Sequence, residues 1–343
     1  MFSVSETFGN ITQEARIHFM GMDSVVGTPN EGEVHWPLKV RELQNHHTDT
    51  TLWNDFKFRD DDIIISTWAK SGTTWMQQII SQLIHQGADE ASARDESHWL
   101  DLRAVPVKPA LDAQTHRRYI KTHSPIDALV YSPKAKYVFV ARDVRDTMWS
   151  MHNHLYCATP TYYELINDTP GRVGPALKRP SPDPAQYFRE FLEDDTDPTK
   201  SHSPFWEHFR GWWNARGLPN LLLVHFNDLK ADLEGEIRRV ARFLEIEIPE
   251  ERWPDIVHHC TFKYMKENEA RLSPEYADVI FTSNALINKG DNGRWTNLLT
   301  KEDIDRFEKK AKMELGEEAA DWLAGGNRYI AAKSQSSDNS NAV

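Results

Sequence analysis

Five consecutive residues, Lys70, Ser71, Gly72, Thr73 and Thr74, have the make-up of an anion cradle. Gly72 lets the backbone bend closely around a ligand, and Lys70 and the hydroxyls supply donors. The free amides and the dipole of a helix starting here favour negative charge. A P-loop works in this way, but the Walker pattern sets its lysine directly after the last glycine. Here Thr73 follows Gly72, and the lysine precedes the glycine. That displacement points to a phosphate-bearing ligand other than a nucleoside triphosphate.

Three further segments could add chemistry. Arg142 and Ser150 are eight residues apart in R-D-V-R-D-T-M-W-S. On a helix that is about two turns, so both can face one anion. Arginine suits bidentate contact with phosphate, whereas Arg145 and Asp146 read as well as a surface pair. Lys121-Thr122-His123 offers a general base beside an electrostatic stabiliser. Alone it is weak, because the chain has 15 His and most histidines in a protein serve the surface or the core. Asn288-Lys289-Gly290-Asp291-Asn292-Gly293-Arg294-Trp295 reads as a flexible basic loop able to close over phosphate oxygens. An ordinary glycine turn with exposed charges has the same composition.

The elements that must position these groups are legible from periodicity. Ile63, Ile64 and Ile65 mark a buried parallel strand, and Trp75, Ile79, Ile80, Leu83 and Ile84 then recur at helical spacing. Residues 118–123 read as a short strand, 136–142 as a second strong one and 221–226 as a third. Helices are expected over 143–154, 205–216, 234–244 and 301–316. The segment 157–185, rich in Pro and Gly, reads as a long loop or lid. The tail from about Lys333 has the composition of disorder. Strands alternating with helices give an α/β fold with a parallel sheet. Ligands of such sheets sit at the carboxyl ends of the strands, and Lys70, Lys121 and Arg142 each follow a predicted strand.

Bulk composition narrows the classes. A formal net charge of −12 argues against a nucleic-acid partner, which needs a basic surface. A small polyanion is still compatible, because a local field can oppose the net charge. Two cysteines far apart, Cys157 and Cys260, make no disulfide framework and fit a reducing compartment. The first residues have neither the basic start nor the apolar core of a signal peptide. No run approaches the roughly 20 apolar residues of a membrane helix. The expectation is a cytoplasmic protein without a membrane partner.

Taken together, in this order and spacing, the four segments resemble the cytosolic sulfotransferase family. That family moves a sulfuryl group from 3′-phosphoadenosine 5′-phosphosulfate (PAPS) to a hydroxyl or amine. Lys70–Trp75 match its phosphosulfate loop, Lys121–His123 its catalytic segment, Arg142 with Ser150 its 3′-phosphate motif, and Lys289, Gly290 and Gly293 its last loop. Thr261 to Asn268 match a further family segment. The resemblance implies a single α/β domain over 61–332 with a central parallel sheet, an N-terminal segment over 1–60 that adds to the acceptor pocket, a lid-like insertion at 157–185 and a disordered tail at 333–343.

The resemblance also implies roles. Lys70 contacts the bridge between phosphate and sulfate, and Ser71, Gly72, Thr73 and Thr74 hold the 5′-phosphate. Trp75 and Phe262 flank the adenine. Arg142, Ser150, Lys289 and Gly290 bind the 3′-phosphate, His123 takes the acceptor proton and Lys121 stabilises the transferring group. The product is adenosine 3′,5′-bisphosphate (PAP), and no metal is required. The chain departs from the family at Asn288, where Arg is usual, at Arg294, where Asp is common, and at Phe226, where the adenine side usually has Tyr. The dimerisation motif after the last loop is degraded (Thr296, Lys301 and Asp305 replace its residues), so no dimer follows from it.

For the small-molecule acceptor, His152, His154, Tyr162 and Tyr163 are the candidate pocket residues. With Arg172, Lys178 and Arg179 in the lid, they suggest a pocket more polar than that of a simple phenol enzyme. Two other classes compete. A P-loop kinase or ATPase would need the Walker order and a carboxylate holding Mg²⁺. A nucleotide-binding protein without catalysis would not need His123.

Overall fold

The strands of this chain are buried and alternate with helical segments that return the chain to one sheet. In the computed structural model, which describes residues 34–171, 173–197, 203–272, 287 and 289–340, strand β1 is Ile63–Thr67 and helix α1 is Thr73–Ile84. Strands β2, Tyr119–Thr122, and β3, Lys136–Ala141, follow. Next come α2, Val144–Tyr156, α3, Pro160–Asp168, α4, Pro184–Glu193, and α5, Phe205–Asn214. Strand β4, Leu221–His225, leads into α6, Phe226–Ala231, and α7, Leu233–Leu244. The last labelled elements are α8, Trp253–His259, α9, Phe262–Glu267, α10, Lys301–Leu315, α11, Glu317–Gly325, and α12, Asn327–Ser340. Residues from Pro37 onward make up one compact unit, to which everything below refers.

The strands are all parallel, in the order β2-β1-β3-β4. All five residues of β1 are buried, as a strand covered on both faces must be. Ile63, Ile65, Val138, Val140 and Val224 face α1, α7 and α8, whose Met76, Ile79, Ile80, Ile237, Val240, Leu244 and Ile256 complete an aliphatic layer. Tyr137 and Phe139, of opposite parity in β3, meet an aromatic layer instead. The Phe139 ring stacks on Trp212 of α5 with centroids 5.4 Å apart, and Phe205 and Phe209 continue the layer. This layer accounts for several of the twelve tryptophans.

The chain leaves β1 toward β2 on one side and leaves β3 toward β4 on the other. The order therefore reverses between β1 and β3, which opens a crevice at their carboxyl ends. At the opposite ends, Asp62 and Arg118, the residues before β1 and β2, form a fully buried ion pair at 2.5 Å.

Helix ends follow local chemistry. Asp143 caps α2 by accepting from Arg145 N, Thr159 caps α3 with Pro160 in its first turn, and Thr300 and Asp303 form a capping box on α10. The segment 157–185 is not one long loop. Helix α3 occupies its first part, and Asn167 then pins the return through two bonds to Leu177. Helical backbone also runs into the tail, to Ser340, where composition alone predicts disorder.

Candidate functional site

The turn after β1 is built around two unusual backbone positions. Lys70 has φ +71°, a conformation that costs a non-glycine residue about 1–3 kcal/mol and concentrates at functional sites. Gly72 has φ +119°, and a Cβ there would stand 3.0 Å from the Phe226 ring, so only glycine fits without strain. Thr73 then opens α1, whose first amides have no partner within the helix. The Thr73 hydroxyl is tied to Thr67 at 2.7 Å, which joins the helix start to the strand end. Ser71 is buried beneath the turn and does not line the cavity above it.

That cavity, about 600 Å³, lies at the β1–β3 crevice. Among the described residues, Lys70, Lys121, Arg142, Lys230, Lys289 and Arg294 all line it, against one acidic residue, Asp291. Burial, with Lys121 and Arg142 nearby, pushes the Lys70 ammonium down to about 8. Burial likewise lowers Lys121 to about 8, opposed by Asp101. Arg142 donates to the Asn292 side chain at 2.7 Å, and its ring-side face lies over Phe226 with the guanidinium carbon 4.2 Å from the centroid. Its Nε is buried without a hydrogen-bond partner. An orphaned guanidinium N–H beside the basic 289–294 loop fits an anionic group such as a phosphate. Ser150, on the following helix, lines the same region. Burial and the neighbouring Asp143 push Asp146 up to about 6, and it accepts from Gly293 N at 2.7 Å.

His123 sits where β2 ends, its ring edge-on to Trp99 at 4.7 Å. Its Nδ1 lies 2.9 Å from the Thr67 carbonyl oxygen, which can only accept. The Thr67 hydroxyl lies 3.1 Å from the same nitrogen; in the neutral ring the carbonyl contact sets the proton on Nδ1 and leaves the lone pair to Nε2. Lys121 places its ammonium 5.1 Å from the Trp99 ring centroid.

Aromatic side chains close the other end. Trp75 donates to the Cys260 carbonyl at 2.7 Å and meets Phe226 at 5.1 Å between centroids. Phe262, on α9, is 41% exposed toward the cavity and packs on Gly290, where a Cβ would come 2.5 Å from its ring. The positive φ of Gly290, +67°, lets the backbone take that path. Lys230 anchors the loop by donating to the Gly290 carbonyl at 2.8 Å. Lys289 lines the cavity, and Asn288 lies outside the described residues.

The remaining wall is apolar: Leu102, Ala104, Val105, Met151, Leu165 and Ile166. Here the sequence reading needs correction. His154 and Tyr162 line the cavity, but His152 and Tyr163 do not. Residues two apart on a helix, or adjacent on one, cannot share a face. His152 turns away from the cavity and donates to the Ser181 carbonyl at 2.8 Å. Tyr163 donates to the Leu155 carbonyl at 2.6 Å under the Arg179 guanidinium. Lys178 and Arg179 are absent from the cavity lining, and Arg172 lies outside the described residues. Among the described residues this end of the cavity is mostly apolar, with His47, His154 and Tyr162 as its polar groups; His47 Nε2 is hydrogen-bonded to the Tyr162 hydroxyl at 2.8 Å. Missed as well were Asp101, His47 and the 102–105 wall, which no motif or periodicity marks.

Known proteins point to the same chemistry. The sulfotransferase domain model matches residues 60–321. A glycolipid sulfotransferase of Mycobacterium bovis (strain BCG / Pasteur 1173P2) is 31% identical over 310 residues, covering 82% of this chain and 93% of that one. Sulfotransferase 1A1 of Rattus norvegicus is 30% identical, covering 72% and 82%. A mouse sulfotransferase solved in complex with PAP shares the fold, with a TM-score of 0.59 at 21% identity over 80% of this chain and 91% of that one.

Proposed function

The chain belongs to the sulfotransferase family and is a PAPS-dependent sulfotransferase, and from that premise we propose that it sulfates a hydroxyl carried on an apolar body, with His123 as general base. The bound donor supplies a sulfuryl group on a phosphate leaving group. In this reading the α1 amides with Thr73 and Thr74 hold the 5′-phosphate, and Arg142, Ser150, Lys289 and Gly290 hold the 3′-phosphate. Arg294 lines the cavity near Arg142 and supplies the cation that Asn288 does not. Trp75, Phe226 and Phe262 form the adenine slot.

The chemistry is mostly positioning and charge stabilisation. His123 Nε2 takes the hydroxyl proton as the acceptor oxygen bonds to sulfur. The sulfur–oxygen bond to phosphate breaks in line, and the electron pair leaves on PAP. Lys70 stabilises that departing oxygen, and Lys121 stabilises the oxygens of the transferring group. The observation that carries the reading is the Nδ1 bond of His123 to the Thr67 carbonyl, made by a ring that lines the same cavity as Lys70 and Lys121.

The apolar wall supports the acceptor class, and the M. bovis relative, named for glycolipids, is compatible with it. His123→Ala is expected to lower sulfuryl transfer by about 10²–10⁴-fold while sparing PAP affinity. Undiminished turnover would remove His123 from the role. In an acceptor panel with labelled donor, apolar phenols and long-chain alcohols should exceed sugars and short amines in kcat/KM by about tenfold or more. The reverse order would contradict the acceptor assignment.

A further inference from the structure

Asp101 is fully buried behind the base and no motif includes it. Four donors converge on its carboxylate. They are Trp53 Nε1 at 3.0 Å, Trp99 Nε1 at 2.5 Å, Thr122 Oγ1 at 2.7 Å and Ser124 Oγ at 2.6 Å. Burial pushes the Asp101 carboxyl above its ordinary value, and the four donors oppose that shift; two of them are indole N–H groups, which can only donate, so the arrangement favours an acceptor. Thr122 and Ser124 are the residues on either side of His123. Trp99 is the ring against which His123 rests edge-on and over which the Lys121 ammonium sits. The backbone repeats the link: Lys121 N donates to the His98 carbonyl at 2.9 Å.

We infer that Asp101 is a positioning residue for sulfuryl transfer, fixing His123 and Lys121 through Thr122, Ser124 and Trp99. A buried carboxylate with four satisfied bonds is costly to disturb, so the turn it clamps has one geometry. It touches none of the groups that would hold the donor nucleotide. Its loss should therefore act on turnover and not on nucleotide binding. The inference rests on the proposed role of His123.

The test is Asp101→Asn, which keeps the volume but sets an amide donor among four donors. Its kcat is expected to fall about ten- to a hundredfold with PAP affinity kept within about twofold. A folded variant with unchanged kcat, or one losing kcat and PAP affinity by the same factor, overturns the inference. If Asp101→Asn does not fold, Ser124→Ala removes one bond to Asp101, and Thr122→Val removes one together with the 3.0 Å bond that the Thr122 hydroxyl accepts from Ser124 N. Lower kcat at unchanged PAP affinity is then expected, and unchanged kcat in both overturns it. His123→Ala is assayed in parallel. An active His123→Ala sinks the base assignment and this inference with it, whereas an inactive His123→Ala beside a fully active Asp101→Asn sinks this inference alone.

Discussion

Lys70 and Lys121 set the pH response of the free enzyme. Burial holds both ammonium groups at about 8, well below the ordinary lysine value. Each is charged below that pH and neutral above it, so the cations proposed to stabilise the leaving and transferring oxygens are lost as pH rises. We expect kcat/KM for the donor to fall between about pH 8 and 9, since that parameter reports the free enzyme. A profile flat to pH 10 would contradict the assignment. Arg142 gives a second residue-scale prediction. Arg142→Ala should weaken PAP by about ten- to a hundredfold, with little effect on adenosine 5′-phosphate, which lacks the 3′ group; calorimetry on the two ligands checks this. These residues were legible because each belongs to a short motif whose spacing carries chemistry. His152 and Tyr163 misled because residue type was read without the helix face, and Asp101 escaped because an isolated acid has no spacing to read.

The elements explain why scattered motifs meet. Helix α1 and the turns after β1, β2 and β3 all open at the carboxyl end of one parallel sheet, and that convergence followed from alternating strand and helix signals. Their bounds differ from expectation by a residue or two, as helix and strand ends do. Harder to read was 157–185, where Pro and Gly suggested a loop while Thr159 and Pro160 began a helix. The tightest element-scale constraint is the turn into α1. Gly72→Ala adds a Cβ at φ +119° against the Phe226 ring. It should cost about 1–3 kcal/mol in stability, seen as a lower Tm, and weaken PAP because the ring also borders the adenine slot. A variant with unaltered Tm and PAP affinity would show that the turn relaxes freely.

At the scale of the molecule, stability and chemistry occupy opposite ends of the sheet. The Asp62–Arg118 pair is buried at the amino ends of β1 and β2, away from the cavity. Asp62→Ala leaves the buried Arg118 guanidinium with only the Lys57 carbonyl and the exposed Asp112 carboxylate 3.9 Å away and should cost about 3–5 kcal/mol, while kcat per folded molecule stays near the wild-type value. Loss of kcat at full stability would break that separation. The chain carries a net charge of −12, yet its cavity is lined by six cationic side chains. Global charge argued against a nucleic-acid partner but could not reveal a local basic cleft, which only the fold assembles. The apolar wall was likewise invisible, because its residues come from separate segments without a shared period. The most direct test of the whole account is transfer of labelled sulfate from PAPS to a hydroxylated apolar acceptor, measured with EDTA present. The account predicts labelled acceptor and PAP in equal amounts. Label that stays on the donor across the acceptor panel, or transfer of the ATP γ-phosphate that needs Mg²⁺, would contradict it.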